Sequence, residues 1–430
     1  MGCQIVVGAQ WGDEGKGKIV DLLCEHADVV ARYQGGANAG HTVVVGDTTV
    51  ILHLLPSGVL RPGIRCLLGN GVVIDPRAFF AEVEQVESAG FPLEGRLGVS
   101  PAAHVTMPYH RWLEQVEEAA LGEKRIGTAG RAIGPTYRDK SGRSGIRISD
   151  LLHPVRLRDR LEARFASLRG PANERPTEFS VDALLDEFTA YGKRLAPFVT
   201  DVSLELHTAL ARGKNVLLEG AQGTMLDLDH GTYPFVTGSS AVAGGALVGV
   251  GLGPTKVGTV IGVAKAYCTR VGNGPFPTEL AQGLGDHLRE VGAEYGATTG
   301  RARRCGWYDA PAMRHAARVN GLEVMAVTKL DVLDGISPLR ICRAYKVDGR
   351  EMCEMPVDME DFECAEPVYE DWEGWGESTT AARRWEDLPL NAQRYLDRLA
   401  GITGVPICLV SVGSERDSTL WLRDVRMPGR

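Results

Sequence analysis

The sequence predicts an α/β fold with a large, mainly parallel central sheet flanked by helices. Short runs rich in β-branched residues recur along the 430-residue chain, and most are apolar throughout instead of alternating with polar residues. Continuous apolar runs are typical of strands that are buried on both faces, as in parallel sheets. Helical stretches separate several runs, which also favours a parallel sheet. The runs are QIVVGA (4–9), DVVARY (28–33), TVVVGDTTVIL (42–52), NVLLEGA (215–221), TVIGVAKAY (259–267), EVMAVTKLD (323–331) and PICLVSVG (406–413).

The helices between these strands have recognisable beginnings and ends. Apolar residues three and four apart in KIVDLLCEHA (18–27) predict a helix after the first strand. Asp75 is a favoured N-cap and Pro76 a favoured first-turn residue, so together they predict the start of a helix that Gly90 closes. Asp309 is expected to cap a further helix in the same way.

Four other stretches have structural interpretations. Gly46-Asp47 joins two β runs and predicts a hairpin turn, so an antiparallel pair is expected beside the parallel sheet. The apolar stretch 241–253 is glycine-rich and soon meets a proline, which predicts buried, close-packed backbone and not a membrane span. The segments 168–180 and 357–374 are predicted to be a surface excursion and a solvated acidic connector.

Composition favours an ordinary globular protein of a reducing compartment. The chain is 44% hydrophobic and 24% charged, with a net charge of −8, so it lacks the basic surface that nucleic acids need. Its nine cysteines are an odd number without a CxxC pair, which argues against a disulfide framework or a structural zinc site. With no signal peptide and no domain boundary evident, we expect a cytoplasmic protein of one domain, 1–430, without membrane or nucleic-acid partners.

The stretch GAQWGDEGKGK (8–18) predicts a phosphate cradle. Gly12, Gly17 and Lys18 have the spacing of a P-loop, and they lie between a predicted strand and a predicted helix as that motif requires. Glycines let backbone N–H groups approach a phosphate, and the helix N-terminus and lysine add positive charge. The residue after the lysine is Ile19, so the hydroxyl that usually binds Mg²⁺ in a P-loop is absent.

Asp13 is expected to supply the missing metal ligand. A carboxylate beside Mg²⁺ and lysines stays ionised, and it can also take a proton from a weakly acidic substrate. A second glycine-rich loop follows at QGGANAGHT (34–42), where small neighbours let Asn38 and His41 reach a ligand. A histidine beside a leaving phosphate is a plausible general acid.

Two further stretches predict recognition of a base and of an anion. TKLD (328–331) ends a β run and resembles the NKxD motif of GTP-binding proteins, with Thr328 in place of asparagine. A carboxylate there can accept from both N1–H and the 2-amino group of guanine, a donor pair that adenine does not offer. GATTGRARRCGW (296–307) combines two threonines with three arginines, whose forked guanidinium groups suit carboxylates or phosphates.

Taken together, these stretches resemble the adenylosuccinate synthetase family. The matching segments occur in order from residue 4 to about 413, essentially the whole chain, and several are long and unusual. They are QWGDEGKGKIVDLL, RYQGGANAGHTV, LHLLPSGVL, LLGNGVVIDP, RAIGPTY, LEGAQGTMLDLDHGTYPFVT, VAKAYCTRVGNGPFPTEL, GATTGRARR, TKLDVLDG and ITGVP.

The resemblance implies a ligase that joins IMP to L-aspartate at the expense of GTP, through 6-phosphoryl-IMP, in the first committed step from IMP to AMP. It implies a P-loop-like GTP-binding core, one Mg²⁺ per subunit and a homodimer. Asp13 would take the N1 proton of IMP and bind Mg²⁺ together with the carbonyl of Gly40. His41 would act as acid toward the leaving β-phosphate, while Lys16 and Gln222 would stabilise the transferring phosphoryl group.

The resemblance also assigns the binding residues, with Arg143 reaching the site of the partner subunit. For GTP they are Gly12, Asp13, Glu14, Gly15, Lys16, Gly17, Lys18, Gly40, His41, Thr42, Arg303, Lys329, Leu330, Asp331, Ser411, Val412 and Gly413. For IMP they are Asp13, Lys16, Asn38, Ala39, Gly40, His41, Ala129, Arg143, Gln222, Thr237 and Arg301, and for aspartate they are Ala297, Thr298, Thr299, Gly300, Arg301 and Arg303.

The chain departs from the family pattern at a few positions and leaves two other functions open. Ala129 replaces a threonine expected to touch the IMP phosphate, Ala302 replaces a frequent arginine, Val412 replaces a threonine, and the run 238–242 differs. One alternative is a GTPase or GTP-binding switch that uses the same cradle. The other is a paralogue that joins aspartate to a different purine nucleotide, such as a guanine or deoxy substrate.

Overall fold

The apolar runs of the sequence come together as strands of one central sheet. The structure is a computed structural model that describes residues 2–45, 48–122, 125–173, 176–296, 300–425 and 427. The strands are β1 (Cys3–Gly8), β2 (Val29–Arg32), β3 (His41–Val45), β4 (Thr48–Leu52), β5 (Arg65–Leu68), β6 (Val73–Ile74), β7 (Leu97–Val99), β8 (His104–Val105), β9 (Val216–Glu219), β10 (Thr259–Lys265), β11 (Cys268–Arg270), β12 (Arg304–Gly306), β13 (Tyr308–Asp309), β14 (Val324–Thr328), β15 (Leu339–Val347), β16 (Arg350–Met352), β17 (Glu366–Trp372), β18 (Ile407–Ser411) and β19 (Thr419–Trp421).

The central sheet has nine strands in the order β19-β18-β14-β10-β1-β9-β2-β5-β7. Every neighbouring pair is parallel except β18 and β19, which confirms the predicted mainly parallel sheet. Residues of β1 alternate between two hydrophobic clusters: Val6 packs with apolar residues of the first two helices, and Ile5 and Val7 pack on the other face. The central strand is therefore covered on both faces, as its unbroken apolar sequence predicts.

Helices connect the strands and begin where the predicted caps lie. The Asp75 side chain accepts from the backbone N–H of Arg77 at 3.0 Å, and Asp309 accepts from that of Ala312 at 3.1 Å. The helices are α1 (Lys16–Leu23), α2 (Pro76–Ser88), α3 (Pro108–Leu121), α4 (Ile133–Ser141), α5 (Ile148–Leu151), α6 (Pro154–Ser167), α7 (Val181–Leu195), α8 (Val202–Ala211), α9 (Ala243–Val250), α10 (Leu284–Val291), α11 (Ala310–Asn320), α12 (Met359–Glu363) and α13 (Leu390–Thr403).

Two of the other interpretations are confirmed. Strands β3 and β4 form the expected antiparallel pair, although their turn residues, Gly46 and Asp47, lie outside the described residues. Helix α9 contains the predicted close packing, because a Cβ on Gly249 would stand 2.1 Å from the carbonyl oxygen of Tyr33. Among the residues that the structure describes, no helix is long and apolar enough to cross a membrane.

The interpretation of 357–374 as a solvated connector is wrong. This segment forms α12 and β17, and β17 pairs antiparallel with β15 beside the central sheet. Phe362 is fully buried, with its ring centroid 5.6 Å from that of Tyr345. A few apolar anchors among many acidic residues are enough to hold the segment in a sheet whose outer face is solvated.

Candidate active site

The loops at the carboxyl edge of the central sheet surround a cleft of about 800 Å³. In open α/β sheets, ligands bind in crevices at this edge because the strand-to-helix loops meet there. Strands β1, β9, β14 and β18 all lead into residues that line the cleft. Of the predicted site residues, the lining includes Gly12, Asp13, Gly15, Lys16, Gly17, Lys18, Asn38, Ala39, Gly40, His41, Thr42, Ala129, Gln222, Thr237, Arg301, Arg303, Lys329, Asp331, Ser411 and Gly413.

The predicted phosphate loop is built around Glu14, which lies beneath it. The buried carboxylate of Glu14 accepts from the backbone N–H groups of Gln10 at 3.0 Å and Gly12 at 2.9 Å. Its other oxygen lies 2.5 Å from Nζ of Lys16. A Cβ on Gly8 would stand 2.5 Å from a Glu14 oxygen, so this close approach requires glycine. The Glu14 side chain therefore holds the loop in shape from beneath, and Glu14, which was predicted to bind GTP, does not line the cleft.

Lys18 connects the predicted phosphate loop to the loop after β18 through hydrogen bonds. Its Nζ donates to Oγ of Ser411 at 2.7 Å and to the carbonyl oxygens of Gly413 and Ser418, both at 2.9 Å. Burial lowers the pKa of Lys18 to about 8. The lysine at the P-loop position thus holds together two loops that line the cleft, and Lys16 is the second lysine of the predicted cradle.

Asp13 projects into the cleft from a left-handed backbone position. Its φ is +58°, a conformation that costs a non-glycine residue roughly 1–2 kcal/mol. Such strain persists where the surrounding structure holds it in place, and it is often found at functional sites. The Asp13 Oδ2 atom accepts from Nε of Arg303 at 2.9 Å, so the predicted base contacts an arginine predicted to bind aspartate.

His41 is oriented by Glu219, a residue that the sequence interpretation missed. The Nδ1 atom of His41 lies 2.5 Å from Oε1 of Glu219, and Ser57 donates to the same carboxylate through its backbone N–H and its hydroxyl. This pairing leaves Nε2 of His41 for the cleft. Burial lowers the pKa of His41, although the neighbouring carboxylate opposes that effect. The available signal was a carboxylate at the carboxyl end of the buried run NVLLEGA (215–221).

Gln222 and Asp331 each carry buried polar atoms without hydrogen-bond partners among the described residues. Both the Oε1 and Nε2 atoms of Gln222 are in this state, as is Oδ1 of Asp331. Gln222 also has a positive φ of +58°, and burial raises the pKa of Asp331. Because buried polar groups are normally paired, these atoms point to ligand contacts at two places along the cleft.

Thr328 connects the predicted guanine motif with the phosphate loop. Its hydroxyl donates to the backbone carbonyl of Glu14 at 2.6 Å. Lys329 follows with a positive φ of +60°, and Asp331, in the short 3-10 helix Leu330–Leu333, lines the cleft. Thr328 stands where the NKxD motif has asparagine, and its hydroxyl joins the two motifs.

The loop 126–132 closes another wall of the cleft. Nη2 of Arg301 donates to the carbonyl oxygens of Gly127 at 3.0 Å and Thr128 at 2.9 Å. The Glu118 carboxylate on α3 accepts from the backbone N–H of Gly127 at 3.0 Å, which fixes the loop from below. Ala129 therefore lies in an ordered loop that lines the cleft.

Some of the predicted residues do not line the cleft. Leu330 and Val412 are fully buried beneath its wall, and Gly300 is exposed at its edge. Arg143 is exposed on the turn after α4, with a positive φ of +60°. Ala297, Thr298 and Thr299 lie outside the described residues.

Comparison with known proteins identifies the family to which this arrangement belongs. The family model described as adenylosuccinate synthetase matches residues 5–420. The chain belongs to the adenylosuccinate synthetase family. Adenylosuccinate synthetase of Myxococcus xanthus is 52% identical over 428 residues, covering 98% of both chains. The corresponding enzyme of Synechococcus sp. strain WH7803 is 54% identical, with 98% of this chain and 96% of the relative covered.

Solved structures extend the likeness to the fold. Fully ligated adenylosuccinate synthetase from Plasmodium falciparum has a TM-score of 0.93 and 40% identity, covering 98% of this chain and all of that one. Succinoaminodeoxyadenylate synthetase of cyanophage S-2L, bound to dGMP and dATP, has a TM-score of 0.60 at 20% identity, which shows a shared fold only.

Family membership establishes the class of reaction. The protein is an enzyme, a ligase of purine biosynthesis that joins IMP to aspartate, as the sequence motifs predict. The cleft contains functional groups that such a reaction can use. They are the Asp13 carboxylate beside the predicted phosphate loop, His41 held by Glu219, and Arg301 and Arg303 in the lining of the cleft.

Proposed function

We propose that the chain, as a single domain (1–430), uses GTP to activate IMP and then replaces the activated oxygen with the amine of L-aspartate. The observation that supports this most directly is the position of two carboxylates in one cleft. Asp13 lies at the phosphate loop, and Asp331, with its unpartnered oxygen, lies where a guanine base can donate two hydrogen bonds. GTP would therefore extend between them, with its phosphates at Asp13.

In the first step, Asp13 removes the N1 proton of IMP. The negative charge then resides on O6, which attacks the γ-phosphorus of GTP and releases GDP, giving 6-phosphoryl-IMP. Lys16 and the amide of Gln222 stabilise the transferring phosphoryl group by charge and hydrogen bonding. To act as an acid, His41 must be in its doubly protonated form, with one proton on Nδ1 facing Glu219 and one on Nε2 facing the leaving β-phosphate. Burial opposes this form, and the Glu219 carboxylate favours it.

In the second step, the amine nitrogen of aspartate attacks C6 of the purine. The C6–O bond breaks, phosphate leaves and the nitrogen loses a proton, which yields adenylosuccinate. Arg301 and Arg303 lie in the second half of the loop 297–303, and both line the cleft. Their guanidinium groups suit the two carboxylates of aspartate, so this loop holds the amino acid against the activated ring.

The residues of the cleft fit a Mg²⁺ ion shared with the substrate. Within the described part of the chain, no group of three or more His, Cys, Asp or Glu side chains could hold a metal by itself. Mg²⁺ commonly takes one or two protein carboxylates and completes its shell with phosphate oxygens and water. Asp13, which projects into the cleft, and the carbonyl of Gly40 would hold it, and the ion would neutralise charge on the GTP phosphates.

The working enzyme is a homodimer in this proposal, with Arg143 completing the IMP site of the partner. Arg143 is exposed and absent from its own cleft lining, yet its backbone is in the left-handed region. An exposed arginine on a constrained turn is suited to reach a phosphate on a neighbouring subunit.

The test measures product formation with each substrate varied. Purified protein with Mg²⁺, GTP and aspartate should change the ultraviolet spectrum of IMP to that of a 6-amino-substituted purine. Omission of aspartate or replacement of GTP by ATP should abolish the change. If dGMP or GMP reacts and IMP does not, the enzyme is a paralogue with another nucleotide substrate. GTP hydrolysis that is independent of IMP and aspartate would contradict the proposal.

A further inference from the structure

Glu294 is a buried carboxylate that contacts groups at two different parts of the cleft. It lies three residues before the loop 297–303 and is inaccessible to solvent. Its Oε2 atom accepts from Nη1 of Arg303 at 2.6 Å, and its Oε1 atom lies 3.9 Å from Nζ of Lys329. Arg303 belongs to the loop 297–303, the proposed aspartate loop, and Lys329 belongs to TKLD (328–331), the proposed guanine motif. One carboxylate therefore balances the charge of cations from both.

Two further contacts hold this carboxylate in one position. Nζ of Lys265, itself fully buried, donates to Oε1 at 2.7 Å, and the hydroxyl of Tyr267 donates to the same atom at 2.5 Å. The preceding residue, Ala293, has a positive φ of +47°, which costs roughly 1–2 kcal/mol. Burial alone would raise the pKa of Glu294, but the surrounding cations lower it to about 2. The group is thus a fixed negative charge at neutral pH.

Glu294 also closes the base of the aspartate loop. The backbone N–H of Arg303 donates to the carbonyl of Glu294 at 2.9 Å, and Tyr295 and Ala302 form an isolated antiparallel bridge. The side-chain and backbone contacts between Glu294 and Arg303 therefore join the two ends of the loop. The same arginine then reaches Asp13 through Nε at 2.9 Å.

We infer that Glu294 is a positioning residue that couples the guanine end of the GTP site to the aspartate loop. This inference rests on the proposed assignment of the two subsites. Glu294 is one rigid anion shared by two cations, Lys329 and Arg303. A shift of either cation therefore changes the electrostatic environment of the other. Binding of GTP and binding of aspartate are then linked through the protein, in addition to any contact between substrates.

The main test is Glu294→Gln, which keeps the shape and an acceptor oxygen but removes the charge. The KM values for aspartate and GTP should each rise about tenfold, because hydrogen bonds to a charged group are lost, while the KM for IMP stays within about twofold. Glu279→Gln is the matched control. The Oε1 atom of Glu279 accepts from Nε of Arg304, the neighbour of Arg303 in the sequence, at 2.8 Å, and neither residue of this pair lines the cleft. Removing the charge of Glu279 should therefore leave all three KM values unchanged.

A second measurement tests the coupling itself. Lys329→Met should raise the KM for aspartate about threefold in the parent enzyme, and should have no such effect when Glu294 is already glutamine. If Glu294→Gln does not fold, Tyr267→Phe loosens the same carboxylate and should raise both KM values about two- to threefold. Unchanged KM values for aspartate and GTP, or equal changes in all three, would overturn the inference. The parent enzyme's dependence on GTP and aspartate tests the proposed function separately.

Discussion

At the scale of single residues, His41 and Glu219 act as a pair. Glu219 holds Nδ1 of His41 at 2.5 Å, so the ring orientation and the proton on Nε2 both depend on that carboxylate. Glu219→Gln keeps an oxygen acceptor but removes the charge that favours the protonated ring. A positioned general acid contributes at least about 100-fold, so we expect kcat to fall about 10- to 100-fold with little change in KM.

The control for Glu219 is another buried carboxylate outside the cleft. Glu82 accepts from the backbone N–H groups of His53 at 3.0 Å and Leu54 at 2.9 Å. Glu82→Gln should lower the melting temperature without changing kcat of the folded enzyme. Steady-state kinetics and thermal unfolding on both variants distinguish the two roles. Equal kcat in Glu219→Gln and the parent enzyme would show that the pair does not serve catalysis.

Asp331 is the second residue with a sharply defined expectation. Its unpartnered Oδ1 can accept hydrogen bonds from guanine. Asp331→Asn should therefore weaken the binding of GTP about 10- to 100-fold, because the charge-assisted hydrogen bonds that are lost contribute about 1.5–3 kcal/mol. Xanthosine triphosphate, which has an oxygen in place of the 2-amino group, should bind this variant better relative to GTP than it binds the parent enzyme. Asp334→Asn is the control, because Asp334 is already bonded to Trp375 and Thr379. An unchanged KM for GTP in Asp331→Asn would remove Asp331 from base recognition.

At the scale of elements, the loop 126–132 lines the cleft, and we expect it to hold the phosphate of IMP. Ala129 lines the cleft in place of a threonine, and Glu118 already accepts the N–H of Gly127. Ala129→Thr adds a hydroxyl donor worth about 1 kcal/mol beside existing donors, so the KM for IMP should fall about fivefold with kcat unchanged. Ala129→Val has the same shape without the hydroxyl and should give no gain. A higher KM in both variants would mean that this loop accommodates a different nucleotide.

The elements also differ in how well their sequence predicts them. The buried strands and the helices capped by Asp75 and Asp309 could be predicted from local patterns. An apolar run and a helix cap each depend on residues that are neighbours in the sequence. Strand β17 was missed because its pairing with β15 depends on distant residues, and its own composition is acidic. The same reason explains Glu219: its partner lies 178 positions away in the sequence.

At the scale of the whole molecule, motifs far apart in the chain meet because parallel strands all end at one edge. Asp13 follows β1, Gln222 follows β9 and Asp331 follows β14, and all three line one cleft. The family resemblance supplied their roles from the sequence. The contacts that join them, such as Lys18 with Ser411 and Thr328 with Glu14, required the folded structure.

The proposed homodimer can be tested with two defective subunits in one mixture. If Arg143 serves the partner's cleft, one site of a hybrid dimer can be intact although each subunit carries a defect. Asp13→Asn and Arg143→Leu should each be nearly inactive alone. In a hybrid, the Arg143→Leu subunit retains its own Asp13 and receives Arg143 from the Asp13→Asn partner. Random exchange of an equal mixture makes half of the dimers hybrid, each with one complete site, so activity should recover to roughly a quarter of the parent value.

The measurement is specific activity of the mixture after incubation long enough for subunit exchange, which differently tagged chains and co-purification establish. A mixture of Asp13→Asn with His41→Asn is the control, because both substitutions lie in the same cleft and the Arg143 side chain is present in both chains. Each subunit of that hybrid still carries a defect in its own cleft, so it should remain inactive. If exchange is demonstrated and the first mixture also remains inactive, Arg143 does not act across the interface, and its exposed, left-handed turn needs another explanation.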